Sequence, residues 1–291
     1  MPIDYENLRS WHFEPRVDRY ATKDAMLYAL SLGYGNDPCR EDELPFVHET
    51  GTLAVPTLLA TIGAPGAWAT DPRTGIDWLR ILHGEHRMRF HRAVRAEDAL
   101  RSRTRVSHVV DKGAGKGALV VTTRDITDAA TDAPVATIEH VSFCRSDGGF
   151  GRGDAPLPPL PAPPEDRPPD SEVALQTIPQ AALLYRLNGD YNPIHILPAK
   201  AREAGMPRPI LHGLCSYGMA ARALVRACCD QQPERLRAIA LRFSAPVLPG
   251  ETLVVRIWRD GRTAYFQARV RERDLVVLNN GVAEIDAPAP Q

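Results

Sequence analysis

The chain has 291 residues, 44% of them hydrophobic and 24% charged, a composition that can build a core and is unlike that of a disordered chain. Lys+Arg 35 against Asp+Glu 36 leaves a net charge of −1, which argues against non-specific binding to nucleic acid or an anionic membrane, both of which rest on a basic excess. No apolar run approaches the roughly 20 residues needed to cross a bilayer. The five cysteines are odd in number and lack paired zinc-ligand spacing, so buried thiols in a reducing compartment are expected, with no disulfide framework and no metal. The polar N-terminus does not read as a signal peptide and the C-terminal DAPAPQ carries no SKL-type address, so the expected location is cytoplasmic.

In chain order, each half opens with short helical or irregular segments, continues with a longer apolar helix and ends in strands. In the first half His86 to His91 alternates as a strand does, and further strands are expected at 102–110, 117–127 and 134–144. Asp111 to Gly117, DKGAGKG, reads as the hairpin turn between two of them. From Gly148 to Asp170 the chain is rich in glycine and proline, with eight prolines between Pro156 and Pro169. Proline has no backbone donor and a fixed φ, so this run favours an extended spacer over helix or sheet. It divides the chain into residues 1–150, a linker at 151–170, and residues 171–291. In the second half Leu214, Tyr217, Ala221, Leu224, Val225 and Cys228 recur at helical spacing, which predicts a helix over about 213–229. Strands are expected at 237–246, 251–260, 262–273 and 275–285, the clearest from Tyr265, Gln267, Arg269 and Arg271 alternating with Phe266, Ala268 and Val270.

The halves are related. A constant shift of 153 positions pairs Arg89-Phe90 with Arg242-Phe243, Val94 with Val247, Leu100 with Leu253, Pro56 with Pro209, and Asp37 with Asp190. One helix followed by an antiparallel meander, made twice, predicts α+β architecture in which two sheets, each wrapped around a helix, join edge to edge.

The segment Tyr185 to Met219, YRLNGDYNPIHILPAKAREAGMPRPILHGLCSYGM, carries the chemistry. Asn192-Pro193 forces a turn that can present Asp190 and His195 on one side. A carboxylate and an imidazole converging on one water can deprotonate it and return a proton to a neighbouring carbon. The Gly213 amide, near a helix N-terminus, offers a donor to charge developing on a carbonyl. Spacing alone leaves open a capped turn beside a surface imidazole. The repeat places Asp42 at the position of His195 and Leu59-Ala60 at that of His212-Gly213, so only the second half holds a complete set.

This segment closely resembles the signature of the MaoC-like (R)-specific enoyl-CoA hydratases, the hydratase 2 family that includes the hydratase part of peroxisomal multifunctional enzyme type 2. LHGEHRM from Leu82, VVDKGAGKG around Lys112 and SDGGFG from Ser146 are similar to the family's N-terminal region. Leu197 departs from it, where an acidic residue is frequent. The resemblance implies a tandem, or double, hot-dog fold whose altered first half accommodates an acyl chain. It also implies reversible hydration of trans-2-enoyl-CoA to (3R)-3-hydroxyacyl-CoA by Asp190 and His195, with Asn192 positioning them and Gly213 N–H polarising the thioester carbonyl. No cofactor is implied, acyl-CoA being the substrate. His83, Gly84, Lys112 and Phe243 match substrate contacts, although Lys112 as a solvated hairpin residue and Phe243 as core packing remain open. Acyl length, fatty or sterol, is not fixed, and a homodimer is left open. An acyl carrier protein dehydratase and a non-catalytic thioester-binding module are the alternatives. A hot-dog thioesterase is disfavoured because 213–229 holds no Asp or Glu. Gly113 to Gly117 lacks the order of a phosphate loop, and Cys215 reads as a small buried residue, not a nucleophile.

Overall fold

A computed structural model describes residues 3–288, so the last three residues of DAPAPQ lie outside the described part. Ten strands form one antiparallel sheet: β1 Arg16–Tyr20, β2 Ile81–Phe90, β3 Asp98–Asp111, β4 Ala118–Asp128, β5 Pro134–Cys144, β6 Ser171–Gln176, β7 Leu236–Phe243, β8 Thr252–Asp260, β9 Thr263–Val270 and β10 Leu275–Ile285. Their order is β1-β3-β4-β5-β2-β7-β10-β9-β8-β6, two five-stranded halves joined where β2 pairs antiparallel with β7. Glu85 lies opposite Arg242 and Arg89 opposite Ala238, so the repeated Arg-Phe pairs stand at opposite ends of this central seam. The seam turns two would-be edges into ladder, as the duplication predicts. The alternation expected from Tyr265 onward is observed: Ala264, Phe266, Ala268 and Val270 are buried and the intervening residues partly exposed.

The helices are α1 Tyr5–Arg9, α2 Thr22–Ser31, α3 Ala181–Tyr185, α4 Pro198–Glu203 and α5 Gly213–Cys228. The last is the expected apolar helix, and it is buried on nearly every face because the second-half sheet packs on one side and first-half segments on the other. Gly218 lets α2 approach: a Cβ there would lie 2.6 Å from Leu32 Cδ2 and 2.9 Å from Tyr28 Oη. Arg222 of α5 is buried and donates to both carboxylate oxygens of buried Glu43, at 2.8 and 2.7 Å, and to the Leu32 carbonyl at 3.0 Å. This forked ion pair fixes the 3₁₀ turn Glu41–Phe46 of the first half against the helix of the second.

The first half has no counterpart of α5, contrary to expectation. Where the repeat places one, the chain makes the 3₁₀ turns Pro56–Ala60, Trp68–Thr70 and Pro72–Thr74. The reason is local. Gly63, Gly66 and Gly75 have φ of +62°, +68° and +69°, and Pro65 and Pro72 remove backbone donors, so a continuous i to i−4 ladder cannot form. The short outer strands β1 and β6 have no counterpart among the strands expected from the sequence.

Residues 151–170 form no regular element. Asp154 N–H donates to Val109 O (2.8 Å), Arg87 reaches Pro158 O (2.9 Å), Asn280 reaches Leu160 O (3.2 Å) and Trp258 Nε1 donates to Arg167 O (3.0 Å). The segment thus passes from β3 over β2 and β10 to β8. Seven strand spacings span about 34 Å. Sixteen residues of extended polyproline-like chain reach about 50 Å, whereas the same number in a helix would reach only about 24 Å. Proline density keeps the crossing extended enough to be made.

Candidate active site

Asp190 and His195 are brought together by a turn that the sequence builds from its own side chains. Gly189 takes a left-handed φ of 109° and ends a short 3₁₀ turn. Asp190 Oδ1 then accepts the Asn192 N–H at 3.1 Å, and Asn192 Oδ1 accepts the Ile194 N–H at 3.2 Å. These two Asx turns, followed by Pro193 at the first position of a 3₁₀ turn, set the direction of His195. Asn192 therefore acts on the loop that carries the pair.

His195 is 9% exposed and Asp190 is exposed. His195 Nδ1 lies 2.9 Å from the Ile210 carbonyl, a partner that can only accept, so Nδ1 carries the proton and Nε2 keeps its lone pair. Burial holds the imidazole below its ordinary pKa, opposed by the Ile210 carbonyl and by the Asp190 charge. The ring is neutral at neutral pH, as a base must be.

His212, not assigned a role from the sequence, completes the group. Its ring stacks on that of His195 with centroids 3.7 Å apart, and its Nε2 donates to the Asp190 carbonyl at 3.2 Å. Burial, reinforced by His195, lowers its pKa to about 4. One oxygen or nitrogen from each of Asp190, His195 and His212 lies within 4.8 Å of the others. The signal in the sequence was its position directly before Gly213, at the start of α5, where a side chain on the cap residue must face the same opening as the first amides of the helix.

Gly213 sits at the first position of α5, where no residue of the helix accepts its N–H. A Cβ on it would lie 3.3 Å from Phe243 Cε1 and 3.5 Å from Cδ1, so the glycine lets the ring close on the backbone. Phe243 also meets the His83 ring, with centroids 4.4 Å apart. Next to His83, a Cβ on Gly84 would lie 3.8 Å from Phe143 Cβ, and the Lys112 ammonium lies 5.0 Å from the Phe143 ring. Of the residues singled out from the sequence, Asp190 and His195 gather with His212 directly before Gly213, and Gly213, Phe243 and His83 pack in turn, whereas Lys112 packs on the Phe143 ring. Lys112 stands exposed on the expected hairpin, closed by its own N–H to Gly117 O at 3.1 Å. Asp111 ties that hairpin to the SDGGFG segment: its carboxylate accepts the N–H groups of Gly113 (2.8 Å), Gly149 and Gly151 (both 2.7 Å), which depress its pKa. A surface hollow of about 380 Å³ lies elsewhere, on the face bearing Arg87 and Arg89, and shares none of these residues.

A neutral imidazole with a free lone pair, a carboxylate beside it and an unpaired helix amide nearby form a set suited to moving water on and off an activated carbonyl compound. Comparison with known proteins places the chain among proteins of that kind. The MaoC like domain matches residues 162–280 and the MFE-2 hydratase 2 N-terminal domain matches residues 19–146. The chain is 35% identical to enoyl-CoA hydratase ChsH3 of Mycobacterium tuberculosis, over 99% of this chain and 100% of that one. It is 37% identical to 3-hydroxyacyl-thioester dehydratase Y of the same organism, over 93% and 94%. Its fold matches the crystal structure of a MaoC-like dehydratase from Phytophthora capsici with a TM-score of 0.87 at 30% identity, over 99% of both chains. The chain belongs to the MaoC-like hydratase 2 family of hydro-lyases, with the double hot-dog fold that its sequence resemblance implied.

Proposed function

We propose that the protein catalyses the reversible hydration of trans-2-enoyl-CoA to (3R)-3-hydroxyacyl-CoA, with Asp190 and His195 as the acid–base pair. The observation that carries this reading is the convergence of a carboxylate and a neutral imidazole, its Nδ1 committed to Ile210 O, beside the unpaired amide of Gly213. Asp190 and His195 Nε2 hold one water. As its oxygen bonds to C3, its proton passes to the pair, and a proton is returned to C2. The C2=C3 electron pair moves toward the thioester carbonyl in the transition state, where Gly213 N–H meets the developing negative charge. Dehydration is the same path reversed, consistent with relatives named as a hydratase and as a dehydratase. Lys112, exposed beside Phe143, would supply a cation for the CoA phosphates. The altered first half, which lacks the central helix, would accommodate the acyl chain, as the family resemblance implies.

The test is an assay of purified protein with trans-2-enoyl-CoAs of short, medium and long chain, with chiral analysis of the product. A (3S) product, or no turnover of any of them, refutes the assignment.

A further inference from the structure

Across Phe243 from Gly213 lies a second polar group that the hydration chemistry does not use. His83 and His86 stand on β2 and His140 on β5, directly opposite His86 in the ladder. One ring nitrogen from each lies within 4.8 Å of the others. His86 is 2% exposed and meets the Tyr217 ring of α5 edge-on at 4.9 Å, whereas His83 and His140 are half-buried. Among the described residues neither ring nitrogen of His86 has a hydrogen-bond partner, nor has His83 Nε2. A buried polar atom left unpaired loses its hydration without compensation, so three such nitrogens together point to a ligand that would pair them.

The chemistry of the group narrows what it can hold. Burial keeps all three rings neutral near pH 7, with His140 lowered to about 4, so each offers one donor and one acceptor. The His83 and His140 rings are stacked, with centroids 3.9 Å apart and planes 30° apart. Lone pairs lie in the ring plane, so stacked rings do not aim at one ion, and hydrogen bonding suits the arrangement better than chelation. One row along the same sheet is Arg124, opposite Ile138, a buried cation whose Nη2 donates to Ala60 O at 2.8 Å and whose Nε has no partner among the described residues. A second cation beside it would be repelled, and an oxygen atom would be welcome.

We propose that His83, His86 and His140 form a subsite for an oxygen-bearing acyl chain, so that the enzyme prefers enoyl thioesters with a hydroxyl or keto group beyond the reacting carbons. The juxtaposition of Phe243 against both Gly213 and His83 puts this subsite beside the place where the thioester is held. The inference rests on the reading of the protein as an enoyl-thioester hydratase. The experiment compares kcat/KM for pairs of 2-enoyl-CoAs of equal length, one plain and one with a hydroxyl or keto group scanned along the chain.

In the wild type, one position of the oxygen should favour the substituted substrate by about 10-fold, the worth of one or two buried hydrogen bonds. His86→Phe and His140→Phe should bring that ratio to about one or below. No preference in the wild type at any position, or a preference that survives in both variants, overturns the proposal. Stoichiometric Zn²⁺ binding lost in H86F would overturn it in favour of chelation. Turnover of plain chains with no preference sinks only the subsite, whereas no turnover of either series sinks the hydratase reading itself.

Discussion

Asp190→Asn separates the chemistry of the site from its architecture. The Asp190 carboxylate has one structural duty, accepting the Asn192 N–H at Oδ1 (3.1 Å). An asparagine keeps a carbonyl oxygen at that atom, so the Asx turn survives. The side chain is exposed and makes no ion pair among the described residues, so the stability change should stay within about 0.5 kcal/mol, a Tm shift of about 1–2 °C. What disappears is the negative charge next to the water. General acid–base groups are worth about 10²–10⁴-fold, or about 2.7–5.5 kcal/mol of transition-state stabilisation. The D190N variant should thus lose that factor in kcat for hydration of a 2-enoyl-CoA while its melting curve and its binding of saturated acyl-CoA stay close to wild type. Full turnover would refute the role assigned to Asp190. Loss of activity together with a collapse in Tm would show that the residue acts through the fold instead.

The remaining expectations are briefer. Burial lowers the His195 pKa, and its neutral form is the base, so kcat/KM should fall only as pH drops below 6.5; an acid limb centred above pH 7 contradicts the assignment. His212 and His140 have folded pKa values of about 4, while an unfolded histidine titrates near 6.5. Between those values the unfolded chain binds more protons, so stability contributed by these rings is complete above about pH 6.5 and is lost toward pH 4. A Tm that does not change between pH 7 and pH 5 would count against it. Glu43→Leu strands the buried Arg222 guanidinium and should cost about 3–5 kcal/mol by denaturant unfolding, with much of it recovered in the E43L/R222M double variant. Gly218→Ala presses a methyl into Leu32 and Tyr28 and should cost about 1–3 kcal/mol; a neutral effect would mean that α2 is free to move away from α5.

Much of the molecule could be read without coordinates because the information is local. A helix declares its apolar stripe within a few turns, the hairpin at Asp111–Gly117 lies in its glycines, and the turn carrying Asp190 and His195 is closed by Asp190 and Asn192 themselves. The missing first-half helix was also written locally, in Gly63, Pro65 and Gly66, but the repeat argued for a helix and outweighed them. β1 and β6 are not legible because they are only five and six residues long: β1 buries Tyr20 alone, and the buried Val173 and Leu175 of β6 are separated by the apolar Ala174, which blurs the alternation.

Other features are decided by pairing between distant residues, which no local pattern encodes. His86 meets His140 because β2 and β5 are ladder neighbours, and His83 meets Phe243 because β2 and β7 join at the central seam. His212 takes its place beside His195 through a stacking contact across sixteen intervening residues that include α4, and among them Ile210 supplies the carbonyl that selects the tautomer. Sequence alone therefore determined which groups are present and how each local turn holds them. The tertiary structure decided which of them face one another, since burial and the register of long-range strands, not proximity along the chain, set the distances at which imidazoles, carboxylates and amides act together.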